Sequence, residues 1–241
     1  MPIVTTRCVV LQTHRYSDTS KILRLMTEDH GPRSAIARGA LRPKSRISGL
    51  TEPFAEGVAT IYLKANRDLH ALSDFELIRE RQVLGADLRR FAGASVLCEL
   101  VLRLAPEHAD ANLYHVLVDG LDELIAASAD AAGTAALQQI WRLVSTLGFG
   151  PSLDVCVSCG RIVEPGAGGC FDHAAGGVRC RDCPPIGVEL AAHELAALRD
   201  LVSGRESPRV NRRQVGLLAD FIRYHASEGL QIKSLDFLTD L

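Results

Sequence analysis

Short apolar runs separated by turn signals fill the first third of the chain. TRCVVLQT, within residues 5–13, is rich in β-branched side chains, and SKILRLMT follows it. EDHGPR then makes a turn before RSAIARGA. A fourth run, FAEGVATIYLKA, meets the polar break NRD and returns as LHALSDFELI. β-Branched and aromatic runs bounded by Gly, Pro, Asn and Asp read as strands. Five of them in about 80 residues predict a small closed or nearly closed barrel of the OB type, with a small sandwich as the alternative.

From about residue 81 the period becomes helical. Leu84, Leu88, Phe91, Cys98 and Leu102 form one set, Leu113, Leu117, Leu121 and Leu124 a second, and Leu137, Ile140, Trp141 and Val144 a third. Residues three and four apart share a helix face, so these sets are predicted core faces. The small, nearly uncharged tract AASADAAGTAA between the second and third is read as a loop. At LGFGPSLD the third helix should end, because Gly148 suits a left-handed cap and Pro151 cannot continue the turn. A Gly-rich insert runs to PPIG. Helical spacing resumes with VELAAHELAALRDLVSG, and Asn211 is placed to cap a last helix that Gly229 ends. The predicted organisation is α+β and multidomain: a barrel over 1–80, then a helical domain over 81–241 with an insert at about 151–186.

A length of 241 residues suits two domains. No run approaches the roughly 18 apolar residues that span a bilayer, and the N-terminus lacks the apolar core and cleavage site of a secretory signal. A cytoplasmic location is expected. The net charge of −2 hides an asymmetry: residues 1–80 hold 12 Lys and Arg against 9 Asp and Glu, and the remainder hold 15 against 20. The basic excess therefore belongs to the barrel, where it can steer polyanions.

The strongest chemical signal lies in the insert. Cys156 and Cys159 in CVSC, and Cys180 and Cys183 in CRDC, form two CxxC pairs separated by twenty residues. Such pairs bring four thiolates to one ion, as in zinc ribbons. The intervening segment has six glycines and few large apolar side chains, too few to build a core of its own, so a structural zinc is expected to supply the cohesion. Paired disulfides are disfavoured in a reducing compartment, and a redox CxxC would come singly beside a βαβ unit. Cys170 and His173 are alternative ligands that break the symmetric spacing. Cys8 and Cys98 fall in apolar runs and read as buried core thiols.

RSAIARGALRPKSR carries Arg33, Arg38, Arg42, Lys44 and Arg46 with no acidic residue. Cations projecting from a barrel-edge loop can contact phosphates and release counterions; the plain alternative is a solvated loop. Arg15, Tyr16, Lys21 and Arg24 lie on or beside the first two strands, on the side of an OB barrel that meets single strands. Phe54 and Tyr62 are candidates for base stacking or for core. Arg205, Arg209, Arg212 and Arg213 form a second cluster at the start of the last helix, an anion site or a soluble helix end.

No phosphate-binding GxxxxGK[ST], no HExxH and no GxSxG occurs, and the eight histidines have no ligand or triad spacing. No catalytic machinery is visible, and a closed shell of four sulfurs leaves no position for a reactive water.

HRYSDTSKILRLMTEDHG with ARGALRPKSR, then LGFGPSLDVCVSCG and GGVRCRDC, together resemble the RecO family of bacterial recombination mediators. The resemblance extends over most of the chain. It implies an N-terminal OB fold and a helical domain that in many members carries a four-cysteine zinc finger, here Cys156, Cys159, Cys180 and Cys183. It further implies a non-enzymatic DNA repair and recombination protein, associated with the nucleoid, that binds single- and double-stranded DNA and anneals complementary strands. Its implied partners are RecR, the acidic tail of the single-stranded DNA-binding protein and, indirectly, RecA. The competing reading is a zinc-stabilised protein-interaction scaffold whose basic loop is only soluble surface.

Overall fold

Strand pairing decides between barrel and sandwich. A computed structural model describes residues 2–63, 67–205, 207, 209–225 and 232–239. Strands β1 (Ile3–Arg15), β2 (Lys21–Thr27), β3 (Gly31–Ala37), β4 (Glu56–Tyr62) and β5 (Leu69–Arg79) close in the order β1-β2-β3-β5-β4, with β4 returning to pair with β1. All neighbours are antiparallel except β3 and β5. This is the five-stranded OB barrel. β1 is long enough to pair on both edges because a bulge between Val10 and Gln12 bends it.

Alternation places Cys8, Val10, Leu23, Leu25, Ala35, Ala37, Ala59, Ile61 and Phe75 inside. Small residues on β3 and β4 leave room for the leucines of β2. Cys8 and Cys98 are buried, and burial pushes each thiol up to about 12, so both are inert core residues as expected. Phe54 is buried too, edge-on to Phe91, which removes it as a base-stacking platform.

A 3-10 turn, Gln82–Ala86, leads to α1 (Leu88–Leu104) and α2 (Ala111–Ala126). The Asp87 carboxylate accepts from the amides of Arg89 and Arg90 and so opens α1. The face of α1 differs from the expected one: Leu88 and Phe91 are exposed, and Ala92, Val96, Leu97, Leu100 and Val101 are buried beside Cys98. Leucine spacing alone missed a stripe made largely of alanine and valine. In α2 the four expected leucines are all buried. Gly31, at φ +69°, turns the chain from β2 into β3 where an added Cβ would lie 2.4 Å from the His108 carbonyl oxygen, so only glycine fits beneath the α1–α2 connection.

The chain forms two compact units, residues 1–125 and 126–241. Within the first, a buried ion cluster joins barrel to helices. The Arg81 guanidinium, fully shielded from solvent, donates to the Phe54 carbonyl (3.0 Å), Glu56 Oε2 (2.9 Å) and Asp122 Oδ1 (2.8 Å). Arg7 donates to the other Glu56 oxygen at 2.6 Å, and Arg79 pairs with Asp122. The Tyr114 hydroxyl also points at Glu56, at 3.4 Å. Burial pushes the Glu56 carboxyl up, but Arg7 and Arg81 outweigh it and hold it below its ordinary range.

In the second unit, α3 (Ala132–Val144) begins inside the tract expected to be loop, because alanines are good helix formers and Ala132 and Ala136 are buried. Its four expected core residues are all buried. α3 ends through Gly148 at φ +93°, as expected. Strands β6 (Gly169–Asp172), β7 (Gly177–Cys180) and β8 (Val188–Leu190) form a small sheet in the order β7-β6-β8. β8 takes the first three residues of the segment expected to be wholly helical, and α4 (Ala192–Ser203) follows. α5 (Arg212–His225) is opened by Asn211 and Gln214, which accept each other's backbone amides. Gly229 lies outside the described residues. A short α6 (Ser234–Thr239) was not expected. The insert borrows its core from the helices: Phe171 and Val178 are fully buried, and Phe171 packs against Phe221 of α5, which also meets Trp141.

Arg81→Met is expected to cost about 3–5 kcal/mol in urea unfolding, because two carboxylates lose a buried partner. Arg205→Ala, at an exposed pair with Asp200, should change stability by less than about 1 kcal/mol. A group whose folded pKa is depressed gives stability that is present above its unfolded value and lost as pH falls. Glu56 therefore contributes fully above about pH 4.3. The Arg81→Met protein should lose less stability than the parent on titration below that pH.

Candidate metal centre and nucleic-acid interface

Two tight turns present the sulfurs. In the first, Gly160 N–H bonds to the Cys156 carbonyl (2.9 Å) and Cys156 N–H to the Arg161 carbonyl (2.8 Å), with Val155 and Ile162 bridged across the knuckle. In the second, Cys183 N–H bonds to the carbonyl of Cys180, the last residue of β7 (3.1 Å). Cys156 and Cys183 sulfurs are 3.8 Å apart, Cys159 and Cys180 3.7 Å, Cys180 and Cys183 3.7 Å, and all four lie within 4.8 Å of one another.

Those separations test the fit of an ion. A tetrahedral centre with metal–sulfur bonds of about 2.3 Å has sulfur–sulfur edges of about 3.8 Å. Two of the thiols are also prepared for charge. Burial pushes the Cys156 thiol up, yet the backbone amides of Cys180, Cys159 and Ser158 outweigh it and bring it down to about 6. Arg161 donates to Cys159 Sγ at 3.4 Å and lowers that thiol as well. Ser158 lowers the Cys183 thiol, but the neighbouring sulfurs and burial outweigh it and push it up to about 12, so a bound ion must displace that proton. The four cysteines are thus positioned to bind a metal ion with no open coordination site.

Cys170 and His173 stand apart from the cluster. Cys170 lies on β6 opposite Arg179, and the His173 ring meets the edge of Phe171 while its carbonyl bonds to His225 (2.8 Å). Arg199 of α4, which sequence spacing gave no reason to single out, holds the first knuckle from behind. Its Nη2 donates to the carbonyls of Leu153 (2.8 Å) and Val163 (2.7 Å), and its Nε faces Asp154 at 3.0 Å.

On the barrel, the basic stretch is an ordered succession of turns. Leu41 N–H bonds to the Thr19 carbonyl (3.0 Å), tying it to the β1–β2 hairpin, and Arg42 and Ser45 close turns onto Gly39 and Arg42. Lys44 sits at the left-handed φ of +66°. Arg38, Arg42, Lys44 and Arg46 are exposed and make no ion pair among the described residues. Arg33 is different: it is half-buried on β3, and Nη1 donates to the carbonyls of Pro32 (2.7 Å) and Glu107 (3.1 Å).

The hairpin group divides as well. Arg15 pairs with Asp18 (2.9 Å) and Lys21 with Glu52 (2.6 Å), whereas Arg24 is exposed without an ion pair among the described residues. Tyr16 is exposed at the hairpin and Tyr62 half-exposed opposite Ile3. A cleft of ≈ 330 Å³ gathers His14, Arg15, Lys21 and Leu41, so the hairpin and the basic turn meet there. The C-terminal arginines are mostly spent on ion pairs: Arg205 with Asp200, Arg209 with Asp130, Arg213 with Glu194.

Two family descriptions cover the chain: Recombination protein O N terminal matches residues 1–81, and Recombination protein O C terminal matches residues 85–236. The chain belongs to the RecO family. A protein of Desulfatibacillum aliphaticivorans named DNA repair protein RecO is 33% identical over all of this chain and 98% of its own length. The like-named protein of Anaeromyxobacter sp. (strain K) is 31% identical over 97% of this chain and 94% of its own, and that of Symbiobacterium thermophilum 32% over 81% and 78%. The resemblance seen in the sequence and the barrel of this RecO-family chain thus agree.

One divalent ion per chain is the expected stoichiometry, read as cobalt-to-thiolate charge-transfer absorption on reconstitution. Cys159→Ser should abolish that signal and Cys170→Ser should leave it intact. Removal of the ion should lower stability by about 4 kcal/mol where free metal stands at a thousand times its Kd.

Proposed function

We propose that this chain is a DNA repair and homologous recombination mediator that acts without bond chemistry. It binds single- and double-stranded DNA, brings complementary strands together, and with RecR helps load RecA onto strands covered by single-stranded DNA-binding protein, whose acidic tail it contacts. It works in the cytoplasm on the nucleoid. Among the described residues no helix is long and apolar enough to cross a membrane.

The observation that carries the reading is the ordered turn on which Arg38, Arg42, Lys44 and Arg46 stand exposed, tethered through Leu41 to the hairpin bearing Arg15, Tyr16 and Lys21. Clustered cations without internal counterions are the footprint of a polyanion site, and tethering reduces the entropy lost on binding. Two strands repel through their phosphates. A cationic surface lowers that repulsion and raises local strand concentration, while base pairing drives annealing. Phosphate contact fixes position without reading sequence, so binding is sequence-independent.

The metal in this reading is zinc, held by Cys156, Cys159, Cys180 and Cys183. Four thiolates at tetrahedral separations suit a d10 ion with no geometric demand of its own. Zinc supplies cohesion to the small sheet, and the four cysteines hold its shape.

Replacing Arg42, Lys44 and Arg46 together by Ala should weaken binding of fluorescent single-stranded DNA across all sequences. The salt slope should flatten by about 0.7 for each phosphate that is no longer neutralised. An unchanged slope in a variant with an unchanged melt would instead favour the scaffold reading.

A further inference from the structure

A second open groove lies farther along β2. It measures ≈ 780 Å³ and is lined by Arg24, Leu25, Arg33, Ser34, Arg67 and Leu102, among others. That volume is in the range of small-ligand sites, roughly 300–1,000 Å³. Every residue that lines it belongs to the first compact unit.

The cations there are of two kinds. Arg24 and Arg67 are exposed and make no ion pair among the described residues, while Arg33 is fastened by Nη1 to two backbone carbonyls. A fastened guanidinium loses little entropy on meeting a phosphate, and mobile ones beside it adapt to the chain that follows. Two carboxylates, Asp68 and Glu107, also line the groove, so among the described residues three arginines face two acids and a strongly acidic ligand is not favoured over a singly charged phosphodiester. The lining is largely aliphatic, with Leu25, Leu63 and Leu102, and His70 is its one aromatic ring among the described residues.

Strand β2 connects this groove to the cleft described above. Lys21 lines the cleft and Arg24 the groove, about 10 Å apart along the strand at roughly 3.3 Å per residue, Lys21 at the strand's start on the Leu23 side of the pleat and Arg24 on the outer side. Arg24 stands directly opposite Ser34 of β3, so both groove residues lie side by side on the barrel surface.

We propose that the groove is a single-strand phosphodiester subsite, with Arg24, Arg33 and Arg67 as its contacts, and that a DNA strand crosses β2 between it and the basic turn. The proposal rests on the DNA-binding reading and deepens it. Arg67, which the sequence pattern did not point to, becomes a DNA contact equal in weight to Arg42. Because the lining offers aliphatic side chains, the subsite grips backbone and sugar and does not select a base.

The test uses the full chain and a fluorescent oligothymidylate. Each single-strand phosphate that goes unpaired removes about 0.7 from the salt slope, equivalent to about eightfold in affinity near 50 mM salt. Arg24→Ala with Arg67→Ala should therefore flatten the slope by about 1.4 and weaken binding by about sixtyfold, with an unchanged melt because both side chains are exposed. An iodouracil-substituted strand should crosslink to residues 24–34 or 67–70. If the Arg42, Lys44 and Arg46 variant loses affinity but the Arg24 and Arg67 variant keeps slope and affinity, the groove assignment falls and the DNA reading stands. If the parent protein binds no strand, both fall. Crosslinks confined to residues 38–46, or an oligoglutamate that occupies the groove more tightly than the strand, would also overturn the subsite.

Discussion

The buried guanidinium of Arg81 is the constraint on which the N-terminal unit depends. An arginine taken out of water is tolerable only when its donors are met, and here they meet the Phe54 carbonyl, Glu56 of β4 and Asp122 of α2. Apolar contact alone would let a helix slide on a barrel; a fork of directed bonds to both sides fixes their relation. Phe54, whose carbonyl takes one of those bonds, holds a left-handed φ of +72° at the end of the long β3–β4 connection. The same connection carries the basic turn. The α1–α2 link, which supplies Ala105 and Glu107 to the groove, is positioned by the helices that Arg81 anchors.

The second unit is organised around four sulfurs for a related reason. Its sheet has strands of three and four residues, too short to hold by pairing alone. One face of that sheet borrows a core from α5 through Phe171 and Phe221, and the knuckle is pinned to α4 by Arg199. The four cysteine sulfurs meet where the two knuckles come together. Their separations match a single tetrahedral ion, which would tie the two knuckles together.

Much of this was legible in the sequence where local chemistry sets the outcome. The barrel followed from strand spacing, the metal centre from paired CxxC turns, the caps from Gly148 and Asn211. What was not legible depends on distant partners. Nothing in ELIRERQVLG marks Arg81 as buried and Arg79 as exposed, because the carboxylates that Arg81 meets lie 25 and 41 residues away. Phe54 looked available for stacking until α1 brought Phe91 against it. The VEL segment reads as helix by the spacing that continues after it and pairs instead with β6 as β8. The cations at 15, 21 and 33 were grouped with their neighbours by sequence, yet Asp18, Glu52 and two carbonyls claim them, and Arg67 was passed over because it stands alone in a loop.

A surface built this way sorts its cations into those that hold the fold and those left for a ligand. On the proposed reading, Arg24, Arg38, Arg42, Lys44, Arg46 and Arg67 belong to the second group and Arg33, fastened by one nitrogen, serves both; all lie on the barrel of a chain whose net charge is −2. Binding should therefore be local, electrostatic and indifferent to sequence. The most direct measurement is the affinity of the unaltered protein for single-stranded DNA across a salt series. With about seven phosphates neutralised, log K should fall linearly against log salt with a slope of about −5, alike for strands of different base composition. A slope near zero, or affinity that depends on base sequence and not on salt, would contradict the account.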